Sequence, residues 1–486
     1  MSPRSVSRGR VSRSCGNCRA IKRRCDRQSP HCGQCIRLGE NCPGYRDEWD
    51  LVFRDQTGQT IKRSMERRAK SAANDSPPPA RSLSPSIDEI GVNYFLSNFV
   101  MGGQSSSRGC LNYVPTAYRA DGEPPMLVAS MAAVGLVALA NSTQHPEMAR
   151  HARAKYSEAI CNVNTALESP IESIKDSTLM SVISLGVFEH VSEYDSWVRH
   201  VQGAAALVVA RGKGQFSSPI TIRMFNQVRA DLVLACVHGE KPFPEDMLEL
   251  QEEAAKHTDT SSSFWHMGVL STQCANLLMS VRKNKITGEN PWSKLLDEAS
   301  MIERDFQYLL GVLATQEPYT TTGESDGDPN MIYNGRFDLY RDSWAIRLWN
   351  NLRSLRMIVC EILCFLLNKV LATDLAPAVR EHMKLKLQKT LETLSKLAND
   401  ILATVPQASE SLSSVSGSPS SAGIYGSVPG GYMLTWCLYM VGKCPVTTSE
   451  TRKWVIRRLQ NIGRDTGISI ALQLVEHIVK IDQWAG

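Results

Sequence analysis

A chain of 486 residues, 42% hydrophobic and 21% charged, has room for two to four domains and a substantial buried core. Its net charge of +5 is uneven: residues 1–46 hold eleven Lys/Arg against two Asp/Glu, a balance of +9, which leaves −4 on the remaining 440 residues. That asymmetry points to a nucleic-acid module joined to an ordinary soluble body. Nothing at the N-terminus looks like a secretory signal. The longest apolar stretch, Met126 to Ala140, reads as too short to span a bilayer and so as a buried helix.

The chain begins with Arg4, Arg8, Arg10 and Arg13 spaced by Ser, Gly and Val, a composition that suits a disordered basic arm over 1–14. Six cysteines follow: Cys15, Cys18, Cys25, Cys32, Cys35 and Cys42, in which the spacing C-x2-C-x6-C occurs twice, offset by 17 residues. Thiolates are soft ligands that suit zinc, and four of them complete a tetrahedral site. Six sulfurs cannot fill two separate four-ligand sites, so two Zn2+ per chain require two bridging sulfurs. The repeat nominates its equivalent first members, Cys15 and Cys32. Three disulfides are the competing arrangement, disfavoured by the ligand-like spacing and the lack of a secretory signal. A module this short buries too little apolar surface to fold without a cross-link.

Between its second and third cysteines the first half carries Arg19, Lys22, Arg23 and Arg24, whereas the matching interval of the second half carries only Arg37 and Glu40. The two halves share a metal geometry and differ in charge, so the first is expected to face phosphates. The cluster itself, with six thiolates and two Zn2+, carries a net −2 that these cations must outweigh.

Cys15 to Cys42 resembles the binuclear zinc cluster of fungal transcription factors, the Zn(2)-Cys(6) family. Beyond the cysteines, Arg19, Lys22, Arg24, the pair Cys25-Asp26, and Pro30 match its pattern; where the family often has a second lysine, this chain has Ile21. The resemblance implies a first helix in the DNA major groove that reads a CGG triplet, with Lys22 as the principal base contact and Arg19, Arg23 and Arg24 on phosphate. It implies a nuclear regulator at RNA polymerase II promoters. One triplet gives little specificity, which favours a homodimer, although no heptad seam runs through the linker. The transcription machinery or a regulatory protein is the other expected partner, and no membrane is.

After the cluster module, 15–46, comes a linker over 47–86. Its segment from Arg46 to Asp55 mixes charge with Trp49, Leu51 and Phe53. The basic pairs Lys62-Arg63 and Arg67-Arg68, with Lys70, suit a nuclear import signal or extra phosphate contacts; a solvated helix is the plainer reading. Asn74 to Ser86 is rich in Ser and Pro and reads as disordered.

From residue 87 to 486 the pattern turns helical. Apolar residues recur at three- and four-residue steps, predicting helices over 87–101, 126–141, 147–167, 176–190 and 193–211, with a stop at Gly212. Further helices are predicted near 219–238, 262–283, 291–315, 337–372, 377–404, 431–441 and 449–481, with strand signals almost absent. The expected fold class is therefore all-α: a small binuclear zinc-cluster module of two short helices and loops, plus a large multi-helix regulatory domain. The body resembles the fungal-specific transcription factor domain through Trp197-x2-His200-x2-Gly203-Ala204, Arg211-Gly212, Trp436, Gly442, Arg452-x-Trp454, Leu459 and Gly463-x3-Gly467. Its tryptophans read as core anchors and its glycines as close helix approaches or helix ends.

No Gly-rich phosphate loop, His-Glu-x-x-His helix or nucleophile elbow appears, so the expectation is no enzyme and no catalytic residue. His200 reads as a satisfied core histidine. Cys110, Cys161, Cys236, Cys274, Cys360, Cys364, Cys437 and Cys444 have no ligand spacing and read as small buried hydrophobes. Glu317 to Asp328 reads as an acidic loop, and Pro406 to Gly431 as a second long loop. Two other readings compete: a zinc-storing or redox-sensing thiolate protein, and a helical enzyme fused to a DNA-binding module.

Overall fold

The computed structural model describes residues 13–45, 85–101, 109–120, 124–192, 196–239, 241–287, 292–323, 328–409 and 428–485. The chain divides into two units, Met1–Ser84 and Pro85–Gly486, each described by itself. Arg4, Arg8 and Arg10 of the basic arm, the segment 46–55, and Lys62, Arg63, Arg67, Arg68 and Lys70 lie outside the described residues, as does most of the Ser/Pro-rich linker.

In the first unit, α1 (Gly16–Ala20) and α2 (Gly33–Arg37) each start one residue after a cysteine. Helices of five residues do not hold themselves together in water. What is buried here is sulfur: Cys15, Cys18, Cys32, Cys35 and Cys42. Ile21, Ile36 and Leu38 instead stand 62%, 64% and 57% exposed. The sulfur cluster takes the place of an aliphatic core.

The second unit opens on α3 (Ile87–Asn98), begun by a capping box in which Ser86 Oγ accepts from the Glu89 N–H and the Glu89 carboxylate accepts from the Ser86 N–H. There follow α4 (Val114–Ala120), α5 (Pro125–Thr143), α6 (Pro146–Leu167), α7 (Asp176–Ser192), α8 (Trp197–Arg211), α9 (Pro219–Gly239) and α10 (Glu245–Ala255), which pack around a first core. With 19 residues, α5 is by length and composition long and apolar enough to cross a membrane, which corrects the expectation from its shorter apolar run. Its most apolar stretch is 67% buried, packed on α3, α6 and α7, so it is a core helix. Helices α4 and α10, and the four-residue helix Val405–Ala408 at the start of the expected second long loop, lie outside the predicted set.

Next, α11 (Ser263–Thr287) sends Trp265 into the first core and Met267, Leu270 and Cys274 into a second. That second core is completed by α12 (Trp292–Gln316), α13 (Ser343–Leu371), α14 (Pro377–Leu402), α15 (Val405–Ala408), α16 (Val428–Lys443), α17 (Ser449–Asp465) and α18 (Ser469–Ala485). The helix expected over 337–372 starts only at Ser343, where Asp342 caps it by accepting from the Ala345 N–H at 2.9 Å. Its first residues instead form β2 (Arg336–Tyr340), antiparallel to β1 (Tyr319–Gly323), with Tyr319 opposite Tyr340. Fully buried Asp338 anchors this hairpin. Its carboxylate accepts from Thr321 Oγ1 at 2.8 Å and pairs with Arg336, and its N–H donates to the Ala403 carbonyl at 2.9 Å. The acidic loop expected at 317–328 thus contains a strand, and Glu317 is buried. The helix expected over 449–481 breaks in two at Gly467, φ +69°.

Trp197 and Trp454 are core anchors, and Gly442 and Gly463 lie against side chains of Ile478 and Leu472. Gly203 faces open space, so close approach does not account for it. His200 Nε2 lies 2.9 Å from the Tyr156 hydroxyl, which also donates to Glu189, and burial lowers its pKa. Cys110, Cys236, Cys274, Cys360, Cys437 and Cys444 are buried as expected, Cys364 is half-buried, and Cys161 departs from the expectation by facing solvent.

Candidate metal centre and nucleic-acid interface

A cysteine just ahead of a helical turn and another three residues on project from the same side, which is how α1 and α2 each aim one C-x2-C pair at a common point. Cys15 Sγ lies 3.5 Å from Cys32 Sγ and 3.8 Å from Cys35 Sγ, and Cys18 Sγ lies 3.7 Å from Cys32 Sγ. Sulfurs on one tetrahedral zinc with 2.3 Å bonds are about 3.8 Å apart, whereas disulfide sulfurs are about 2.05 Å apart. The observed spacing is that of ligands, and the cysteines are free.

The ligand atoms of Cys15, Cys18, Cys32 and Cys35 all lie within 4.8 Å of one another, and Cys25 is within the same distance of Cys32. Cys25 Sγ also accepts the Cys15 N–H at 3.5 Å. Cys15 and Cys32 therefore sit side by side, each against a cysteine of the opposite half. Two shared sulfurs need that arrangement. Backbone hydrogen bonds, from Cys32 first and then Gly44, bring the Cys42 thiol down to about 6.

Polar contacts hold the loops between ligands. Asp26 Oδ1 accepts from the Gly33 N–H at 3.0 Å, fixing the start of α2 against the end of the first half. Tyr45 donates its hydroxyl to the Gln28 carbonyl at 2.6 Å, and Asn17 donates its side-chain amide to the Asn41 carbonyl at 3.0 Å.

The four basic residues singled out in the first half take different positions. Arg23 turns toward the cluster, where Nε donates to Cys18 Sγ at 3.4 Å and Nη2 to Cys35 Sγ at 3.6 Å. The same guanidinium grips Glu40 with two bonds, at 2.6 and 3.3 Å, and that pairing lowers the Glu40 pKa. It answers part of the cluster's negative charge and ties the two halves together, a role the charge count could not distinguish from phosphate binding. Arg19 is half-buried and donates to the Ser14 carbonyl at 3.2 Å. Lys22 and Arg24 are exposed, with Lys22 in the left-handed region at φ +56° just past the end of α1. Sequence reasoning passed over Arg27, also exposed and at φ +61°; the signal available was its place one residue after the Cys25-Asp26 pair.

Over 40 residues this chain is 50% identical to transcription factor yanR of Aspergillus niger, a match that covers 8% of this chain and 5% of that protein's length. No solved structure matches. Residues 13–50 match the fungal Zn(2)-Cys(6) binuclear cluster domain, and the cysteines gathered there hold two zinc ions.

Proposed function

We propose that this chain is a nuclear, sequence-specific DNA-binding regulator of transcription that reads CGG-type triplets at RNA polymerase II promoters. The observation that carries the reading is a sulfur cluster whose first half leaves Lys22 and Arg24 exposed while Arg23 is tied inward to Glu40. Zinc supplies fixed cross-links that hold α1 in shape, and the chemistry of recognition belongs to the side chains. Lys22 donates to guanine O6 and N7 in the major groove. Arg19 and Arg24 hold phosphate and set the register, with Arg8 and Arg10 extending the contact along the duplex. Two chains pair on two triplets, and the helical body passes a signal to the transcription machinery. The basic pairs from Lys62 to Lys70 serve nuclear import.

Selection of bound sequences from a random duplex pool, with the zinc-loaded chain, tests the reading and returns the triplet, spacing and symmetry together. A zinc-storing thiolate protein would enrich no sequence.

Two substitutions divide the roles. Lys22→Ala is expected to cost about 1–3 kcal/mol on the selected site and to relax base preference there, measured by titration against selected and scrambled duplexes. Equal losses on both would remove Lys22 from base readout. Arg24→Ala is expected to lower the slope of log K against log salt by roughly 0.9, the value of one phosphate contact. Arg23→Ala leaves that slope in place and instead lowers the chelator concentration needed to strip the zinc. A slope reduced equally by both changes would return Arg23 to the phosphates.

A further inference from the structure

The helical body contains a cavity of its own. It lies where the two cores meet, between α8, α9, α11, α13 and α16, with about 120 Å³ of free space. An enclosed apolar cavity of about 150 Å³ accepts benzene; this one is somewhat smaller but partly open, which limits an occupant to about one ring. Trp197, Phe264, Met267 and Trp436 supply apolar wall.

Its polar wall is unusual in charge. Arg229 is 1% exposed, with its guanidinium 4.5 Å from the Trp265 ring and 5.6 Å from the Phe225 ring. One terminal nitrogen donates to the neutral Gln251 amide at 3.0 Å, while Nε is buried without a hydrogen-bond partner. No carboxylate pairs with it among the described residues, and burial alone draws its pKa down to about 9. The position is built for this side chain: a Cβ on Gly268 would stand 1.9 Å from Arg229 Nη2, so only glycine there leaves room for the guanidinium. Two more lining atoms, Asn226 Oδ1 and Ser354 Oγ, are likewise buried and unpartnered. Arg347 adds a second cation at the wall. Asp231, the acid of the lining, already accepts from Gln227 at 2.8 Å and is pushed up to about 6 by burial. The cavity is thus short of negative charge, and buried donors and acceptors are normally satisfied.

We propose that this cavity binds a small organic anion, a carboxylate carried on a flat apolar body of about one ring. The carboxylate takes the open Arg229 Nε–H and the Ser354 hydroxyl, and the ring lies against the aromatic wall. Asn226 Oδ1 accepts from a hydroxyl or N–H on the ring. This inference rests on no part of the DNA-binding reading.

The test is calorimetric titration of the full zinc-loaded chain with benzoate and nicotinate, each beside its neutral amide. At least one acid is expected to saturate one site per chain and to bind tenfold or more tighter than its amide. Arg229→Met is expected to erase that preference while leaving helix content unchanged. Ser354→Val, which narrows the cavity and keeps Arg229, is expected to abolish binding of acid and amide alike, and it decides the matter should Arg229→Met fail to fold. No saturating acid, equal binding of acid and amide, or an acid preference that survives either substitution would overturn the assignment.

Discussion

Cys32→Ala is expected to release both zinc ions rather than one, leaving a chain that elutes metal-free from gel filtration. Cys32 is buried, lies 3.5 Å from Cys15 and 3.7 Å from Cys18, and caps α2 by accepting the Cys35 N–H at 3.3 Å. As a bridging ligand it belongs to both tetrahedra, so its loss opens both. Among the described residues only exposed polar contacts then remain to hold the module, because Ile21, Ile36 and Leu38 already face solvent. In zinc-finger peptides the metal contributes about 10–16 kcal/mol of apparent folding free energy, as much as a domain's whole margin of about 5–15 kcal/mol. Cys25→Ala is the informative control. Cys25 is the least buried of the six, and as a terminal ligand its loss is expected to leave one zinc in place. Elemental analysis per chain reads both outcomes, and circular dichroism shows whether the helical body survives. One zinc retained by Cys32→Ala would refute bridging.

That much of the site was legible because metal ligation writes itself into spacing. A twofold C-x2-C-x6-C repeat fixes how many sulfurs each half brings, and six sulfurs with two tetrahedral metals force sharing. Charge is less legible. Arg19, Lys22, Arg23 and Arg24 look equivalent in sequence, yet Arg23 reaches Glu40, 17 residues away, and only the folded cluster brings the two together.

The same limit holds in the body. Helical periodicity marks most of the helices, but it runs smoothly from 337 into 371 and so hides β2, whose Phe337, Asp338 and Tyr340 are buried by contacts with β1 and α15. A buried aspartate inside a strand reads locally as a polar helix face; its partners, Thr321 and the Ala403 carbonyl, are far along the chain. Arg229 is hidden in the same way. On a helical wheel it falls among Ile222, Phe225, Leu232, Val233 and Cys236, a cation on an apolar face, but the groups that enclose it, Gly268 and Trp265, come from the next long helix.

Gly135→Ala is expected to destabilise the helical body by about 3 kcal/mol or more, at the upper end of what overpacking costs. Helices α3 and α5 cross at Gly91 and Gly135, where backbone meets backbone. A Cβ on Gly135 would stand 1.8 Å from the Gly91 carbonyl oxygen and 2.7 Å from its carbon, and one on Gly91 would stand 2.7 Å from the Ala132 carbonyl oxygen. A crowded side chain can swing to another rotamer, but a carbonyl inside a helix cannot move without its helix, so the only relief is separation of the pair. Separation would uncover Phe95, Ala132 and Leu136, all fully buried. Gly311→Ala supplies the opposite sign. Gly311 sits in α12, and a Cβ there would meet nothing within 4 Å, so alanine is expected to stabilise by about 0.5–1 kcal/mol through helix propensity and a less flexible unfolded chain. Urea denaturation followed at 222 nm compares the two at constant zinc. Equal midpoints would mean that α3 and α5 are not in contact at these glycines; a loss confined to Gly135→Ala fixes the helix pair on which the first core is built.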